Sequence, residues 1–238
     1  MREFPMASAA TPQPEQPAAG DNFAIARFIE ARKAMIDSQL RPSGITDPKV
    51  LAAMGSTARE HYVSADQRDI AYMDRSVPLG EGRALSAPFA QAILLQTARP
   101  AGTDKALLIG GGTGYLAALL APMVASLDVV ESDARLTGAE GARAGDWHKG
   151  ALTAGYKKNG PYDLILIDGA VEALPKAIAG QLADGGRVVT GLVSRGVTRL
   201  AIGRKASGES NAPVALQPLA ETGMPVLADF KEEKGWSF

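Results

Sequence analysis

The chain has 238 residues, an apolar fraction of 46% and a formal net charge of −1, which suits one globular domain with a sizeable core. Nucleic acid and anionic membranes are disfavoured as main partners because both require clustered Lys and Arg, and the sequence has no such cluster. The lack of cysteine excludes disulfides and thiolate metal sites, and two distant histidines disfavour a zinc site, so no metal is expected. There is neither an apolar run of about 20 residues nor a secretory signal pattern, which favours a cytoplasmic protein and leaves the oligomeric state open.

The first part of the chain is predicted to be helical after a disordered tail. Residues 1–22 are rich in Pro, Ala and Gln and cannot bury enough surface to offset the entropy of ordering, so we predict a disordered tail there. The remaining residues, 23–238, are predicted to form one domain whose N-terminal part is 23–98. The elements predicted in this part are a helix over 23–40, a helix capped by Thr46 or Asp47, a long loop over 60–85 of the kind that often carries function, and a helix over 86–97.

Strands and helices alternate in the rest of the chain. The predicted strands cover 106–109, 126–130, 162–167 and 186–192, the predicted helices cover 115–124, 134–144 and 173–182, and antiparallel edge strands are expected at 197–203 and 213–219. This alternation predicts an α/β fold with a doubly wound, mostly parallel sheet. Residues 99–192 would be the cofactor-binding core, and 193–238 would add the edge strands and a tail that packs on the sheet.

A glycine turn, residues 110–114, follows the first of these strands. Gly110, Gly112 and Gly114 follow GxGxG spacing, and Gly111 and Thr113 lie between them; such a turn lets a ligand approach the backbone and offers free N–H groups. The next position is Tyr115 instead of the glycine of a dinucleotide fingerprint, which disfavours NAD. Glu131 ends the next predicted strand, where a carboxylate can accept both hydroxyls of a ribose, and Asp133 competes for this role from further beyond the strand. The pattern favours a nucleoside cofactor; the alternative is a structural turn with a solvated Glu131.

Five segments in order resemble the protein-L-isoaspartate O-methyltransferases, a family of class I S-adenosylmethionine-dependent methyltransferases. They are ARKAMIDSQLRPSGITDPKVLAAM, IAYMDRSVPLGEGRALSAP, ALLIGGGTGYLAALLA, VVESD and PYDLILIDGAVEALPKAIAGQLADGGRVV. The second segment resembles the loop that carries the family's active-site serine, which makes the resemblance specific. The resemblance covers about residues 31–192 and implies the class I methyltransferase fold with an N-terminal helical extension.

The resemblance implies a reaction, a cofactor and a set of site residues. The reaction is methyl transfer from S-adenosyl-L-methionine to the α-carboxyl of L-isoaspartyl residues in damaged proteins, which serves protein repair. The cofactor would lie on the glycine turn and Glu131. Ser86 corresponds to the active-site serine, although a serine before Ala-Pro is also a plain helix N-cap. Arg83 is a candidate contact for the substrate carboxylate, with a solvated loop charge as the alternative.

The chain departs from the family pattern at three places. Leu108 replaces an acidic residue that helps to seat the methionine part of the cofactor, Ala151 stands where the family has an Asp near the adenine, and residues 132–150 are several residues short. Asp168, at the end of a strand, is a candidate replacement for the missing acidic contacts, and Trp147 could stack on the base or pack in the core. These departures keep two alternatives open, which are a methyltransferase with a different substrate and an inactive methyltransferase-like binding protein.

Overall fold

The computed structural model describes residues 19–136, 144–208 and 213–231. Its first helix, α1, spans Ala19–Ala34 and continues as a π-helix over Met35–Leu40. The helix therefore ends at Leu40, as predicted, but begins within the stretch assigned to the tail; residues 1–18 of that stretch lie outside the described residues.

A second helix, α2, follows at Pro48–Ser56. Its N-cap is Asp47, whose carboxylate accepts the backbone N–H of Lys49 at 2.8 Å. This bond decides between the two predicted caps in favour of Asp47, because the N-cap side chain satisfies one of the free amides of the first turn.

The stretch predicted as a long loop is ordered into short elements. It contains 3₁₀-helices at Arg59–Tyr62 and Ala65–Ile70 and an antiparallel hairpin of β1 (Val77–Gly80) and β2 (Arg83–Leu85). Helix α3 then begins at Pro88 and ends at Ala98. The hairpin leads directly into Ser86 and thereby fixes where the loop presents that side chain.

Seven strands form the central sheet, in the order β5-β4-β3-β6-β7-β8-β9. The bounds are β3 Lys105–Ile109, β4 Ser126–Glu131, β5 Asp146–Lys149, β6 Tyr162–Val171, β7 Leu182–Ser194, β8 Val197–Arg204 and β9 Gln217–Glu221. The first five strands in this order are parallel, and β8 and β9 are antiparallel to their neighbours. The doubly wound, mostly parallel sheet with antiparallel edge strands is confirmed.

The helices between the strands are shorter than predicted. Helix α4 spans Tyr115–Leu120 and is followed by a 3₁₀ turn, and α5 covers only Lys176–Ala179. The helix predicted over 173–182 is therefore present, but its predicted bounds were wrong because Pro175 has an extended ψ of 138° and β7 already begins at Leu182. Most of the predicted helix over 134–144 falls on residues 137–143, which lie outside the described residues.

Two apolar clusters cover the two faces of the sheet. The larger cluster packs α2, α3 and α4 against one face, and the smaller one covers the opposite face. Leu227 and Phe230 are buried in the smaller cluster, so the described part of the C-terminal stretch packs on the sheet, as expected. Among the described residues, no helix has the length and apolar character that crossing a membrane requires.

Candidate active site at the carboxyl edge of the sheet

The glycine turn follows β3 and relies on glycine at three positions. Gly110, Gly112 and Gly114 have φ values of +80°, +56° and +97°, a region that residues with a Cβ rarely adopt. Most of the amides of the turn are already used inside the protein. Gly110 and Gly111 both donate to the carbonyl of Val130 at 2.9 and 3.2 Å, and Gly114 donates to Gly111. The expectation that these amides would be free for a ligand was therefore wrong, because the carbonyl at the end of β4 takes two of them. What the turn offers a ligand is close approach to a backbone that carries no Cβ.

Gly111 is needed for packing. A Cβ at this position would lie 2.5 Å from Val129 Cγ1 and 2.8 Å from the ring of Trp147. Trp147 therefore packs against the turn, and its indole N–H donates to the carbonyl of Ala144 at 3.0 Å. Of the two uses expected for Trp147, stacking on the base and packing in the core, this contact corresponds to packing.

Thr113 connects the turn to the N-terminal part of the domain. Its buried hydroxyl donates to the carbonyl of Tyr62 at 2.7 Å. The side chain is thus engaged within the protein, and the cofactor contact expected of Thr113 is not supported by its hydroxyl geometry.

Glu131 ends β4 beside the glycine turn, as the sequence predicted. Its carboxylate is fully buried and accepts the backbone N–H groups of Gly112, Ser132 and Asp133 at 2.6, 2.8 and 3.0 Å. It also forms a bidentate ion pair with Arg83, with N–O distances of 2.5 and 2.9 Å. The alternative of a solvated Glu131 is therefore wrong, and Arg83 is not a solvated loop charge.

The competing carboxylate, Asp133, has a different partner. It hydrogen-bonds to the side chain of Arg135, and this contact holds the pKa of Asp133 below its ordinary value. Between the two acidic residues, Glu131 is the one that contacts the glycine turn.

Ser86 contacts Asp168 and does not cap the helix that follows. The N-cap of α3 is Ala87, and the free N–H of Phe89 in the first turn is accepted by Asp74 Oδ1 at 3.0 Å instead of by Ser86. The fully buried Ser86 Oγ donates to Asp168 Oδ1 at 2.7 Å, and Gln91 Nε2 donates to Asp168 Oδ2, also at 2.7 Å. The alternative of a plain N-cap is thereby excluded for Ser86.

Asp168 lies on β6 next to the glycine turn. Its main-chain oxygen is 3.6 Å from the position that a Cβ on Gly110 would take. Burial raises the pKa of Asp168, and the hydrogen bonds from Ser86 and Gln91, followed by the positive charges of Arg59 and Arg83, oppose that rise. Ser86, Asp168, Glu131 and the glycine turn therefore lie together at the carboxyl edge of the sheet, and we call this group of residues the crevice because ligands bind at this place in open α/β folds.

Leu108 has no polar function in this crevice. It is fully buried in the larger apolar cluster, and it pairs with Leu166, two residues before Asp168, on the adjacent strand. Asp168 thus directly follows Ile167, the last residue of β6 that pairs with the strand carrying Leu108; the strand end expected at Asp168 was wrong, because β6 continues through an irregular stretch to Val171.

Arg59 is a buried residue of this site that the sequence did not reveal. It is fully buried, donates from Nη1 to Gln91 Oε1 and from Nη2 to the carbonyl of Ser86, both at 2.6 Å, and lies over the ring of Tyr115 at 4.7 Å. Burial lowers the pKa of Arg59. A lone arginine before a charged, Pro- and Gly-rich stretch gives no sequence signal of burial, because such residues are mostly exposed.

The comparison with protein families decides the assignment. The sequence model of the family described as protein-L-isoaspartate(D-aspartate) O-methyltransferase matches residues 30–213. This chain belongs to that family. The match extends beyond the segments quoted above at both ends and includes every residue of the crevice.

Individual relatives agree with this assignment. A Roseiflexus castenholzii protein named protein-L-isoaspartate O-methyltransferase is 38% identical over 169 residues, which cover 68% of this chain and 77% of the relative. A Koribacter versatilis protein of the same name is 38% identical over 190 residues, which cover 76% and 85%.

Solved structures show the same fold. One protein-L-isoaspartate O-methyltransferase superposes with a TM-score of 0.68 at 21% identity, covering 83% of this chain and 66% of the other. A Plasmodium falciparum protein described as a β-aspartate methyltransferase, solved with S-adenosyl-L-homocysteine, gives 0.66 at 18% identity and covers 83% and 98%. The class I methyltransferase fold follows from these likenesses.

The departure from the family pattern at Ala151 is supported by the strand bounds. β5 ends at Lys149, so Gly150 and Ala151 directly follow it, whereas Gly145 precedes it. The sequence also offers Gly145-Asp146 as a match to this Asp of the family, but Asp146 begins the strand and lies at the opposite edge of the sheet, so this match is wrong.

Proposed function

We propose that this chain transfers a methyl group from S-adenosyl-L-methionine to the α-carboxyl of L-isoaspartyl residues in damaged proteins. The observation that carries the proposal is the crevice, in which the Ser86–Asp168 hydrogen bond lies beside the glycine turn and Glu131, in a chain of this family. The methyl ester can cyclise to a succinimide and reopen as a normal aspartate, so the role is protein repair. The cytoplasmic location expected from the sequence stays a prediction.

The residues of the crevice fit the cofactor in chemical type. The position that a Cβ on Gly112 would take has no close contact, since its nearest neighbour, Leu79 Cδ1, lies at the van der Waals distance of 3.9 Å, and a ligand bound there would displace this flexible side chain. Glu131 supplies a carboxylate for the ribose hydroxyls. Asp168 supplies a carboxylate for the ammonium group of the methionine part, in place of the acidic residue that Leu108 replaces.

The cofactor, when bound, supplies a methyl group on a sulfonium sulfur. The substrate supplies a carboxylate, which is already ionised at neutral pH, so the protein needs no strong general base. Catalysis then rests on holding the carboxylate in line with the methyl group. Ser86 holds a carboxylate oxygen of the substrate through its hydroxyl, which can rotate away from Asp168 when the cofactor's ammonium pairs with that residue.

A second candidate is favoured by one observation. Arg83 fills the acceptor positions of Glu131, and Leu108 removes an acidic contact, which is what an inactive descendant that no longer binds the cofactor would show. A methyltransferase with another substrate is the third candidate, because the serine motif of the family reads Gly, Gln, Thr, Ile, Ser, and this chain has Arg83 and Ala84 in place of the Gln and Thr.

Two measurements separate these candidates. Calorimetric titration with S-adenosyl-L-homocysteine comes first, and absence of heat at millimolar ligand would leave only the inactive protein. Tritiated methyl transfer to an isoaspartyl peptide, with the normal aspartyl peptide as control, follows. Transfer to the isoaspartyl peptide alone supports the proposal, whereas binding without transfer points to another substrate.

A further inference from the structure

We infer that the side chain of Arg83 has two positions. Before the cofactor binds, it pairs with Glu131, the carboxylate that accepts the ribose hydroxyls. Once the cofactor has displaced it, it holds the α-carboxylate of the isoaspartyl substrate. The cofactor must then bind before the substrate. The inference rests on the proposed function and adds an order of binding and a residue that determines specificity.

The first step is that Glu131 has no acceptor capacity left. Three backbone N–H groups, from Gly112, Ser132 and Asp133, and two Nη groups of Arg83 donate to its two oxygens. A carboxylate offers about four lone-pair positions, so five donors saturate it. The backbone donors belong to the fold, whereas the two donors of Arg83 come from a side chain. Departure of Arg83 leaves three backbone donors on about four positions, so it frees at least one acceptor position, on Oε2, for a ribose hydroxyl.

Arg83 also lies in the path of a ligand. Its Nη2 is 3.6 Å from the position of a Cβ on Gly110, so its guanidinium lies against the glycine turn. Glu131 is fully buried, and only 11% of the Arg83 side chain is exposed. A nucleoside therefore reaches Glu131 only after this guanidinium moves.

One hydrogen-bond donor of Arg83 has no partner while the side chain is paired with Glu131. Its Nε is buried and has no hydrogen-bond partner in the described structure. A buried donor without a partner costs on the order of 1–3 kcal/mol, and this cost lowers the stability of the conformation in which Arg83 is paired with Glu131. The ion pair can thus be displaced by a ligand that brings its own hydroxyl donors to Glu131.

The second position follows from the charges around Ser86. The hydroxyl of Ser86 contacts the carboxylate of Asp168, whose charge the ammonium group of the bound cofactor takes up, so a substrate carboxylate buried at Ser86 brings a further negative charge that has no partner. A cation must compensate. Arg59 is fully committed, since Nε donates to the carbonyl of Ala71 and both Nη groups donate to the Gln91 side chain and the Ser86 carbonyl.

Of the two described arginines whose charge acts on Asp168, Arg83 is the one that remains. It begins β2 (Arg83–Leu85), and this strand runs directly into Ser86. Its positive charge already acts on Asp168 from the paired position. A guanidinium binds a carboxylate through two parallel N–H groups, so the same group that leaves the Glu131 carboxylate can take up that of the substrate.

Calorimetry of the full chain tests both positions. S-adenosyl-L-homocysteine is titrated into the wild type and the Arg83→Gln variant, and an isoaspartyl peptide is then titrated with and without S-adenosyl-L-homocysteine. We expect Arg83→Gln to bind S-adenosyl-L-homocysteine about three- to tenfold more tightly, since its competitor is gone. We expect the peptide to bind the wild type only with S-adenosyl-L-homocysteine present, and the variant complex to bind it at least about tenfold more weakly.

Arg135→Gln is the matched control, because it removes a nearby arginine that pairs with Asp133 instead of Glu131; both affinities should stay at the wild-type values. Weaker or equal S-adenosyl-L-homocysteine binding by Arg83→Gln would overturn the first position, and unchanged peptide affinity would overturn the second. Failure of the proposed function looks different: the wild-type complex would bind no isoaspartyl peptide or transfer no methyl group to it, while the change in S-adenosyl-L-homocysteine affinity would still report on the Arg83–Glu131 pair. If neither protein binds S-adenosyl-L-homocysteine at millimolar concentration, both proposals fall.

Discussion

Ser86 Oγ donates a 2.7 Å hydrogen bond to Asp168 Oδ1, across 82 residues of sequence. The bond joins the residue that precedes α3 to a strand in the middle of the sheet. Gln91, on the first turns of α3, holds the other carboxylate oxygen, so the orientation of Asp168 depends on the helix as well. A loop serine and a sheet carboxylate thus act as one unit.

The first prediction concerns Ser86. Ser86→Ala removes the hydroxyl that holds the substrate carboxylate but leaves the glycine turn and Glu131 intact. We expect the rate of methyl transfer to fall about 10- to 100-fold, because a hydrogen bond to a charged group contributes about 1.5–3 kcal/mol. Calorimetry should give an S-adenosyl-L-homocysteine affinity within about twofold of the wild type, since this hydroxyl does not hold the cofactor.

Ser126→Ala is the control, because Ser126 is exposed at the opposite edge of the sheet, where β4 begins. Its transfer rate should equal that of the wild type. A rate for Ser86→Ala within a factor of about two of the wild type would remove Ser86 from the catalytic residues.

The second prediction concerns the charge of Asp168. Burial raises the pKa of Asp168 above the ordinary value of 3.8, so the carboxylate takes up a proton at a higher pH than an exposed aspartate does. Only the ionised form attracts the ammonium group of the cofactor. We therefore expect the affinity for S-adenosyl-L-homocysteine to fall as the pH drops through this raised pKa, while it is constant above it.

Asp168→Asn separates this effect from other titrating groups. The amide can keep both hydrogen bonds, accepting from Gln91 and donating to Ser86, but it carries no charge. At neutral pH its affinity should be about tenfold lower than that of the wild type, and the pH dependence attributed to Asp168 should be absent. An Asn variant that retains both the affinity and the pH profile of the wild type would contradict the ammonium contact.

The cofactor half of the site could be predicted from the sequence because it is local. A strand, a glycine turn and a helix start in register place Gly110 and Gly112, and the end of the next parallel strand places Glu131 beside them. The sequence could not predict that the amides of the glycine turn are hydrogen-bonded within the protein, because the carbonyl of Val130, which accepts two of them, lies on another strand.

The other half of the site depends on contacts between distant segments. Nothing local to Arg83 indicates that it pairs with Glu131, 48 residues away, and nothing local to Arg59 indicates that it is buried under Ser86 and Gln91. Both arginines lie in or next to a stretch whose Pro, Gly and charge predict an exposed loop. They become site residues only in the folded chain, where Arg83 of the hairpin meets Glu131 and Arg59 of the first 3₁₀-helix meets Ser86 and Gln91.

The third prediction concerns Glu131. Glu131→Gln replaces the carboxylate by an amide with one acceptor oxygen, so it can no longer hold both ribose hydroxyls. We expect the affinity for S-adenosyl-L-homocysteine to fall at least about 100-fold, as two bonds to a charged group contribute about 3 kcal/mol or more. Calorimetry at neutral pH measures the loss, and circular dichroism verifies that the variant is folded.

Asp133→Asn provides the contrast, because Asp133 is the other carboxylate after β4 and pairs with Arg135. Its affinity should stay within about twofold of the wild type. A loss in Asp133→Asn that equals the loss in Glu131→Gln would show that the ribose carboxylate had been assigned to the wrong residue.

The fourth prediction concerns the stability contributed by Arg59. Arg59→Met keeps an apolar chain of similar length but leaves the carbonyls of Ala71 and Ser86 and the amide oxygen of Gln91 without their donor. It also removes a positive charge that acts on Asp168. We expect the free energy of unfolding to fall by about 3–5 kcal/mol, the usual cost of breaking a buried charged network by removing one member.

Urea unfolding followed by tryptophan fluorescence measures this change, and Arg27→Met supplies the comparison. Arg27 pairs with the carboxylate of Asp69, and the two side chains are 52% and 69% exposed, whereas Arg59 is fully buried. Water and counterions screen such a pair, so its loss should cost no more than about 1 kcal/mol. Similar costs for the two variants would mean that the hydrogen bonds of Arg59 contribute no more than a surface contact, and that Ser86 and Gln91 are positioned by the packing of α3 alone.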